Sequence, residues 1–107
     1  MAARPADVDA ILARVEEVAD TRVRPMMGGW LVYVDEVLVG QVNEGRFFVK
    51  ESPFAEAFAP ELDRDSPYPG ARPALVVPVD RLDDPEWLHR LLAGSVAALR
   101  KPVRRSV

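Results

Sequence analysis

The feature that most constrains this chain is a run of alternating apolar and polar residues from Trp30 to Lys50. A period of two residues is the repeat of a β-strand whose two faces meet different surroundings. The alternation is broken at Asp35-Glu36 and again at Asn43-Glu44-Gly45, a three-residue connection in which Gly45 takes the left-handed conformation. The sequence therefore predicts three consecutive strands joined by tight turns, which is an antiparallel meander.

The alternation also assigns side chains to the two faces of the meander. We expect Leu38, Gly40 and Val42 to share one face of the second strand. In the third strand we expect Phe47 to point inward and Phe48 to point outward. Because Gly40 has no side chain, a neighbouring element is expected to pack closely over it, and a helix is the expected neighbour.

Helical spacing of apolar residues flanks the meander, from Val8 to Val18 and from Trp87 to Leu99. Asp7 and Asp83 are the expected N-caps of these two helices. Ser52, which is followed by proline, starts a short helix after the meander. The segment ALVVPV, before the last helix, predicts one more strand that lies at an edge or ends at its proline.

The predicted order of elements is α-β(3–4)-α-β-α. Strands joined by tight turns, with helices grouped outside them, indicate an α+β fold. We expect a two-layer sandwich in which an antiparallel sheet carries the terminal helices on one face. A chain of 107 residues has room for one domain, so we assign residues 1–107 to a single domain, with a core of about 7–101 and a basic tail at 102–107.

The pair Gly28-Gly29, in the stretch RPMMGGW, has two interpretations: a phosphate-binding loop or a backbone bend. The spacing differs from both glycine-rich phosphate motifs, and no lysine follows within reach. A phosphate loop also needs a helix N-terminus after its glycines, whereas a strand follows here. We therefore predict a sharp bend or bulge at the entry of the meander.

Residue types that carry catalysis or bind metals are sparse. His89 is the single histidine and falls in the last helix, and the chain has no cysteine. Asp63 and Asp65 lack the glycine and the distal glutamate of a calcium loop. We predict no catalytic residue, no metal site and no cofactor. The lack of cysteine favours a cytoplasmic protein, and no apolar run approaches the ~20 residues of a membrane span.

Three segments together resemble the TfoX/Sxy N-terminal domain family. RVRPMMGGWLVYVDEVLVGQVNEGRFFVK resembles its central signature, and SPYPGARPALVVPVD and DDPEWLHRLLAGSVAALRK resemble its later segment and closing helix. The match runs from about Ile11 to Lys101. It implies a two-layer α+β domain of the secretion-chaperone-like kind, found in regulators of natural competence, with no catalytic residues. Since those regulators carry a C-terminal domain and this chain ends at Val107, we expect a standalone domain.

The leading functional hypothesis is a small non-enzymatic interaction or regulatory domain that acts through a protein partner or through self-association, as in a dimer. One alternative is a nucleic-acid-associated protein that uses the basic tail, although a net charge of −3 does not favour it. A second alternative is a small-molecule binder or cryptic enzyme with a pocket between sheet and helices. The candidate interaction residues are Arg24, Trp30, Tyr68, Arg72, Arg100, Lys101, Arg104 and Arg105.

Overall fold

The computed structural model describes residues 4–26 and 28–100, which form four helices and six strands. In chain order these are α1 (Ala6–Val18), β1 (Thr21–Met26), β2 (Gly29–Val34), β3 (Val37–Asn43), β4 (Arg46–Val49), α2 (Pro53–Phe58), β5 (Arg64–Asp65), β6 (Ala74–Val77), α3 (Val79–Leu82) and α4 (Pro85–Leu99). The strands form one antiparallel sheet in the order β1-β2-β3-β4-β6-β5. The predicted α+β class is confirmed, and the sequence prediction lacked only the short elements β5 and α3.

Asp35 and Glu36 form the first turn of the meander, as predicted, but the second turn is tighter than predicted. Asp35 and Glu36 both have positive φ, 50° and 64°, as the two central residues of a type I′ hairpin turn do. Glu44 and Gly45 repeat this arrangement with φ of 51° and 73°. Asn43 pairs with Arg46 in the ladder. The prediction of a three-residue connection is therefore wrong, although the left-handed Gly45 is confirmed.

The bend predicted at the glycine pair is confirmed. Met26 of β1 pairs with Gly29 of β2, and Gly28 between them has a φ of 79°. Gly29 is needed for a different reason, because a Cβ at this position would lie 2.8 Å from the carbonyl oxygen of Val42 on the neighbouring strand.

A β-bulge in β3 changes the predicted faces. The register between β2 and β3 pairs Val32 with Gly40 but Tyr33 with Leu38, so Val39 is an extra residue. Leu38 therefore lies on the face opposite to Gly40 and Val42, and the prediction that the three share a face is wrong. A Cβ at Gly40 would overlap the backbone of β4, so a strand and not a helix crowds this glycine.

Helices α1, α2 and α4 cover one face of the sheet, which we call the inner face. Their apolar residues form a single buried cluster with the inward side chains of the strands. Each fully buried aliphatic or aromatic side chain contributes about 1.5–3 kcal/mol relative to an exposed one. The largest fully buried members of this cluster are Phe47, Leu12, Leu75, Leu88, Leu91 and Leu92.

The helix N-termini agree only in part with the predicted caps. Ser52 caps α2 as predicted, its Oγ accepting from the Ala55 N–H at 3.1 Å. Asp84, not Asp83, caps α4. Asp83 instead accepts from the Arg14 guanidinium at 2.6 Å, which ties the turn between α3 and α4 to α1. The N-cap of α1 is Pro5 without a side-chain bond, so the prediction of Asp7 as its cap is also wrong.

The strand β6 ends at Val77, immediately before Pro78, as the missing N–H of proline predicts. It is not an edge strand, because β5 pairs along its free side. The short strand β5 therefore brings the proline-rich segment that follows it next to the sheet.

Candidate functional site

The face of the sheet opposite the helices, which we call the outer face, carries a mixture of aliphatic, aromatic and arginine side chains. The register places four of them side by side across the first four strands, since directly paired residues share a face. They alternate along their strands with residues of the buried cluster, and so they point away from the helices. The four are Arg24, Leu31, Gln41 and Phe48.

Two arginines cover aromatic rings of the outer face. The guanidinium carbon of Arg22 lies 4.3 Å from the ring centre of Tyr33, and Arg22 also pairs with Glu36 at 3.1 Å. Arg46 lies 4.7 Å from the ring centre of Phe48, which is fully buried although it points away from the helices. Both are cation–π contacts, in which a guanidinium covers one face of the ring.

Arg46 also anchors the proline-rich segment that crosses beside the sheet. Its Nη1 lies 2.9 Å from Oδ2 of Asp65, and Oδ1 of Asp65 accepts from the backbone N–H of Ser66 at 2.8 Å. The Arg46 hydrogen bond, followed by the Ser66 N–H, holds the pKa of Asp65 below its ordinary value. Ser66 Oγ donates to the carbonyl of Ala71 at 2.9 Å, and the Ala71 N–H donates to the carbonyl of Tyr68 at 3.0 Å.

A second arginine fixes the base of this segment. Arg64 donates to the carboxylate of Glu51, which follows β4, and to that of Glu56 on α2, the latter at 2.8 Å. The Val76 N–H donates to the carbonyl of Asp63 at 2.8 Å. Prolines within the segment fix their own φ angles. The segment 66–73, which we call the wall, is thus held in place by ion pairs at its base, by its own hydrogen bonds and by its prolines.

Between this wall and strands β2 and β3 lies a groove of about 440 Å³, within the size range of ligand-binding clefts. We call it the outer groove. Leu31, Leu38 and Gln41 line it from the sheet, and Tyr68 and Pro73 line it from the wall. Tyr68 is 37% exposed, and Leu31 and Leu38 are only partly buried. The outer groove therefore offers apolar surface that the fold itself does not cover.

Charged side chains of the outer groove are predominantly basic. Lys50, Glu51 and Arg72 line it. The carboxylate of Glu51 is already paired with Arg64. Neither Lys50 nor Arg72 has a carboxylate within 4 Å among residues 4–26 and 28–100. The outer groove thus combines an apolar floor with cations whose charge the described part of the chain does not neutralise.

The structure brings together three of the residues predicted from sequence. Tyr68 and Arg72 stand in the wall of the outer groove. Arg24 lies on the same face of the sheet, paired across the ladder with Leu31 of the floor. Trp30 points to the inner face, where it is partly buried against the helix-covered cluster. Arg100 is exposed at the C-cap of α4.

The remaining predicted residues, Lys101, Arg104 and Arg105, and with them the basic tail, lie outside the described residues. Sequence reasoning missed Lys50, Leu31 and Leu38 as groove residues. The one sequence signal for Lys50 as a groove residue is its position, since a basic residue just after a strand is expected to be exposed. Leu31 and Leu38 stand in apolar strands that also contain core residues. The sequence does not show which face of the sheet the helices leave uncovered.

His89 has a local structural contact. Its Nδ1 donates to the carbonyl of Val18 at 3.0 Å, which links α4 to the end of α1. Within the described residues no group of three or more histidine, aspartate or glutamate side chains is arranged to hold a metal ion. No helix among them combines the length and the apolar character needed to cross a bilayer.

Comparisons of the chain with protein-family models, with curated proteins and with solved structures give no match.

Proposed function

We propose that the protein is a small non-enzymatic interaction domain, of the TfoX/Sxy N-terminal kind, that binds a partner protein in the outer groove. The observation that carries this proposal is the outer groove itself. It places an exposed tyrosine, an apolar floor and two cations without partners in the described residues around one cleft. Tyrosine and arginine are, with tryptophan, the residue types enriched at binding hot spots.

The pre-organised wall supports the same proposal. A binding loop that is already held in place loses little conformational entropy when a partner docks. Arg46 and Arg64 hold this wall through three carboxylates, and its own hydrogen bonds close it internally. The wall includes the stretch SPYPGARP, which belongs to one of the segments that resemble the family.

The α+β sandwich is the fold that the family resemblance implies, and this agreement supports the proposed kinship. The proposal also places the domain in the cytoplasm, because a chain without cysteine is suited to a reducing compartment. Regulation through a partner is the role we assign to it.

A selection of peptides displayed on phage against the immobilised chain tests the proposal. We expect the selected peptides to bind the wild-type chain and to lose binding when Leu38→Asp places a carboxylate in the groove floor. Val79→Asp is the matched control, because Val79 is 70% exposed on α3 and lies outside the outer groove. Both variants are first compared with the wild type by thermal unfolding.

Two results would contradict the proposal: a selection that enriches no peptide, or enriched peptides that bind the Leu38→Asp chain as tightly as the wild type. Light scattering on the free chain is run in parallel. A dimer that Leu38→Asp dissociates would show that a second copy, and not another protein, fills the outer groove.

A further inference from the structure

The free cations of the described residues are unevenly placed. Among residues 4–26 and 28–100, five basic side chains have no carboxylate partner within 4 Å, while the others form ion pairs. Three of the five lie on the outer face, around or beside the outer groove, although the whole chain has a net charge of −3. The five are Arg24, Lys50, Arg72, Arg90 and Arg100.

From this placement we infer that the outer groove takes an extended segment of a partner protein in which an apolar side chain is flanked by carboxylates. The inference rests on the proposed function and adds the chemistry of the partner. The apolar side chain would lie on Leu31 and Leu38, against the ring of Tyr68. The flanking carboxylates would meet Lys50 and Arg72 at the rim.

The charge balance of the outer groove favours an anionic segment. Its one lining carboxylate, Glu51, already has its charge met by Arg64. An incoming carboxylate therefore encounters two cations with no competing acid of the described residues beside them. Complementary charge of this kind speeds association and selects against basic partners.

The aromatic rings of the outer face favour a peptide over a single-stranded nucleic acid. Nucleic-acid surfaces of this type stack bases on open aromatic rings. Here Arg22 covers Tyr33 and Arg46 covers Phe48, so among the described residues of the outer groove only Tyr68 offers an open ring, and a single ring cannot stack successive bases. In the floor of the groove Leu31 and Leu38 offer aliphatic surface beside Gln41, and aliphatic surface suits a leucine-like side chain more than a base.

Fluorescence anisotropy with a short labelled peptide tests this inference on the full chain. The probe carries a central Leu-Leu pair between runs of glutamate, and its matched control has glutamine in place of every glutamate. We expect the acidic peptide to bind more tightly than the glutamine peptide, and its affinity to fall steeply as salt increases. Lys50→Gln and Arg72→Gln should each weaken binding by about two- to fivefold.

Arg90→Gln is the control variant. Arg90 is likewise without a carboxylate partner in the described residues, but it lies on α4, on the helix side of the molecule. It should bind the acidic peptide as the wild type does. Equal losses in the Arg90 and Arg72 variants would overturn the inference, because the attraction would then come from overall charge and not from the outer groove.

Three further outcomes would also overturn it. The glutamine peptide binding as tightly as the acidic one would refute the charge requirement while leaving the proposed function intact, provided that Leu38→Asp still abolishes binding. Displacement of the peptide by free octanoate at comparable concentration would assign the groove to a small carboxylic acid. Absence of binding by either peptide, together with an empty phage selection, would remove the inference and the proposed function together.

Discussion

The two faces of this sheet are covered in different ways. The inner face is closed by three helices whose side chains form one buried apolar cluster with the strands. The outer face is covered only in part, by arginines stacked on rings and by a proline-rich wall held with ion pairs. The inner face supplies stability through buried apolar area. The outer face leaves apolar side chains exposed and, within the described residues, cations without a carboxylate partner. This difference separates the part of the molecule that folds the chain from the part that we propose binds a partner.

The neighbouring residues Phe47 and Phe48 give the largest test of this comparison, because both are fully buried but point to opposite faces. Phe47→Ala leaves a cavity enclosed by the helices and should lower the free energy of unfolding by about 3–5 kcal/mol. Phe48→Ala opens space beneath Arg46, which can move inward, so we expect a smaller loss. Urea unfolding of both variants measures the difference. A larger loss for Phe48→Ala would contradict our ranking of the two faces.

Substitutions of two glycines test the same comparison, with a smaller expected change in the free energy of unfolding. A Cβ at Gly94 of α4 would overlap the ring of Phe54 on α2, so Gly94→Ala should destabilise the helix layer by about 1–3 kcal/mol. Gly70, in the wall, has open space around it but a φ of 87°. Gly70→Ala should therefore cost about 1–2 kcal/mol from backbone strain alone. Adding Phe54→Ala should recover stability only in the Gly94 variant, which thermal unfolding of the double variants would show.

Substitutions of two serines, one in α4 and one in the wall, should change the free energy of unfolding in opposite directions. Ser95 of α4 is fully buried, and its Oγ has no hydrogen-bond partner among the described residues. Ser95→Ala removes an unsatisfied hydroxyl and should raise the free energy of unfolding by about 1 kcal/mol. Ser66→Ala breaks the bond to Ala71 that closes the wall and should lower it by about 1 kcal/mol. If Ser95→Ala destabilised the chain, the hydroxyl would have a partner that the account lacks.

The smallest effect concerns pH and is confined to the wall. Because the pKa of Asp65 is lowered in the folded chain, its contribution is present above the ordinary aspartate pKa and is lost as the pH falls through the lower folded value. Arg46→Gln should return the Asp65 pKa toward its ordinary value, whereas Arg90→Gln should leave it unchanged. Carboxyl-carbon NMR titration of the three proteins measures this shift. An Asp65 midpoint that does not respond to Arg46→Gln would show that the ion pair does not form in solution.

Local patterns in the sequence predicted most of the fold. The period of two in the meander, the helical stripes and the turn residues each act over a few positions, so the α+β order followed from them directly. The face of Leu38 could not be predicted, because the extra residue at Val39 shows only when β2 and β3 are paired. The cap of α4 was misplaced for a similar reason: Asp83 and Asp84 are chemically alike, and Arg14 selects Asp83 from 69 residues away.

The candidate site was predicted in part. Tyr68 and Arg72 stood out because a stiff, proline-rich segment with polar and aromatic residues is typical of an exposed loop. Lys50 and the leucine floor became part of the site only when β5 paired with β6 and brought the wall beside the outer face. That juxtaposition joins residues distant in sequence, and no local pattern encodes it.

The central claim is that the outer groove binds a carboxylate-flanked apolar segment. Amide chemical-shift mapping of the isotopically labelled chain with the acidic Leu-Leu peptide tests it most directly. The account predicts dose-dependent shifts at Leu31, Leu38, Lys50 and Tyr68, with the amides of α1 and α4 unmoved. Shifts confined to the helices, or no shift at a peptide concentration that saturates the anisotropy signal, would contradict it.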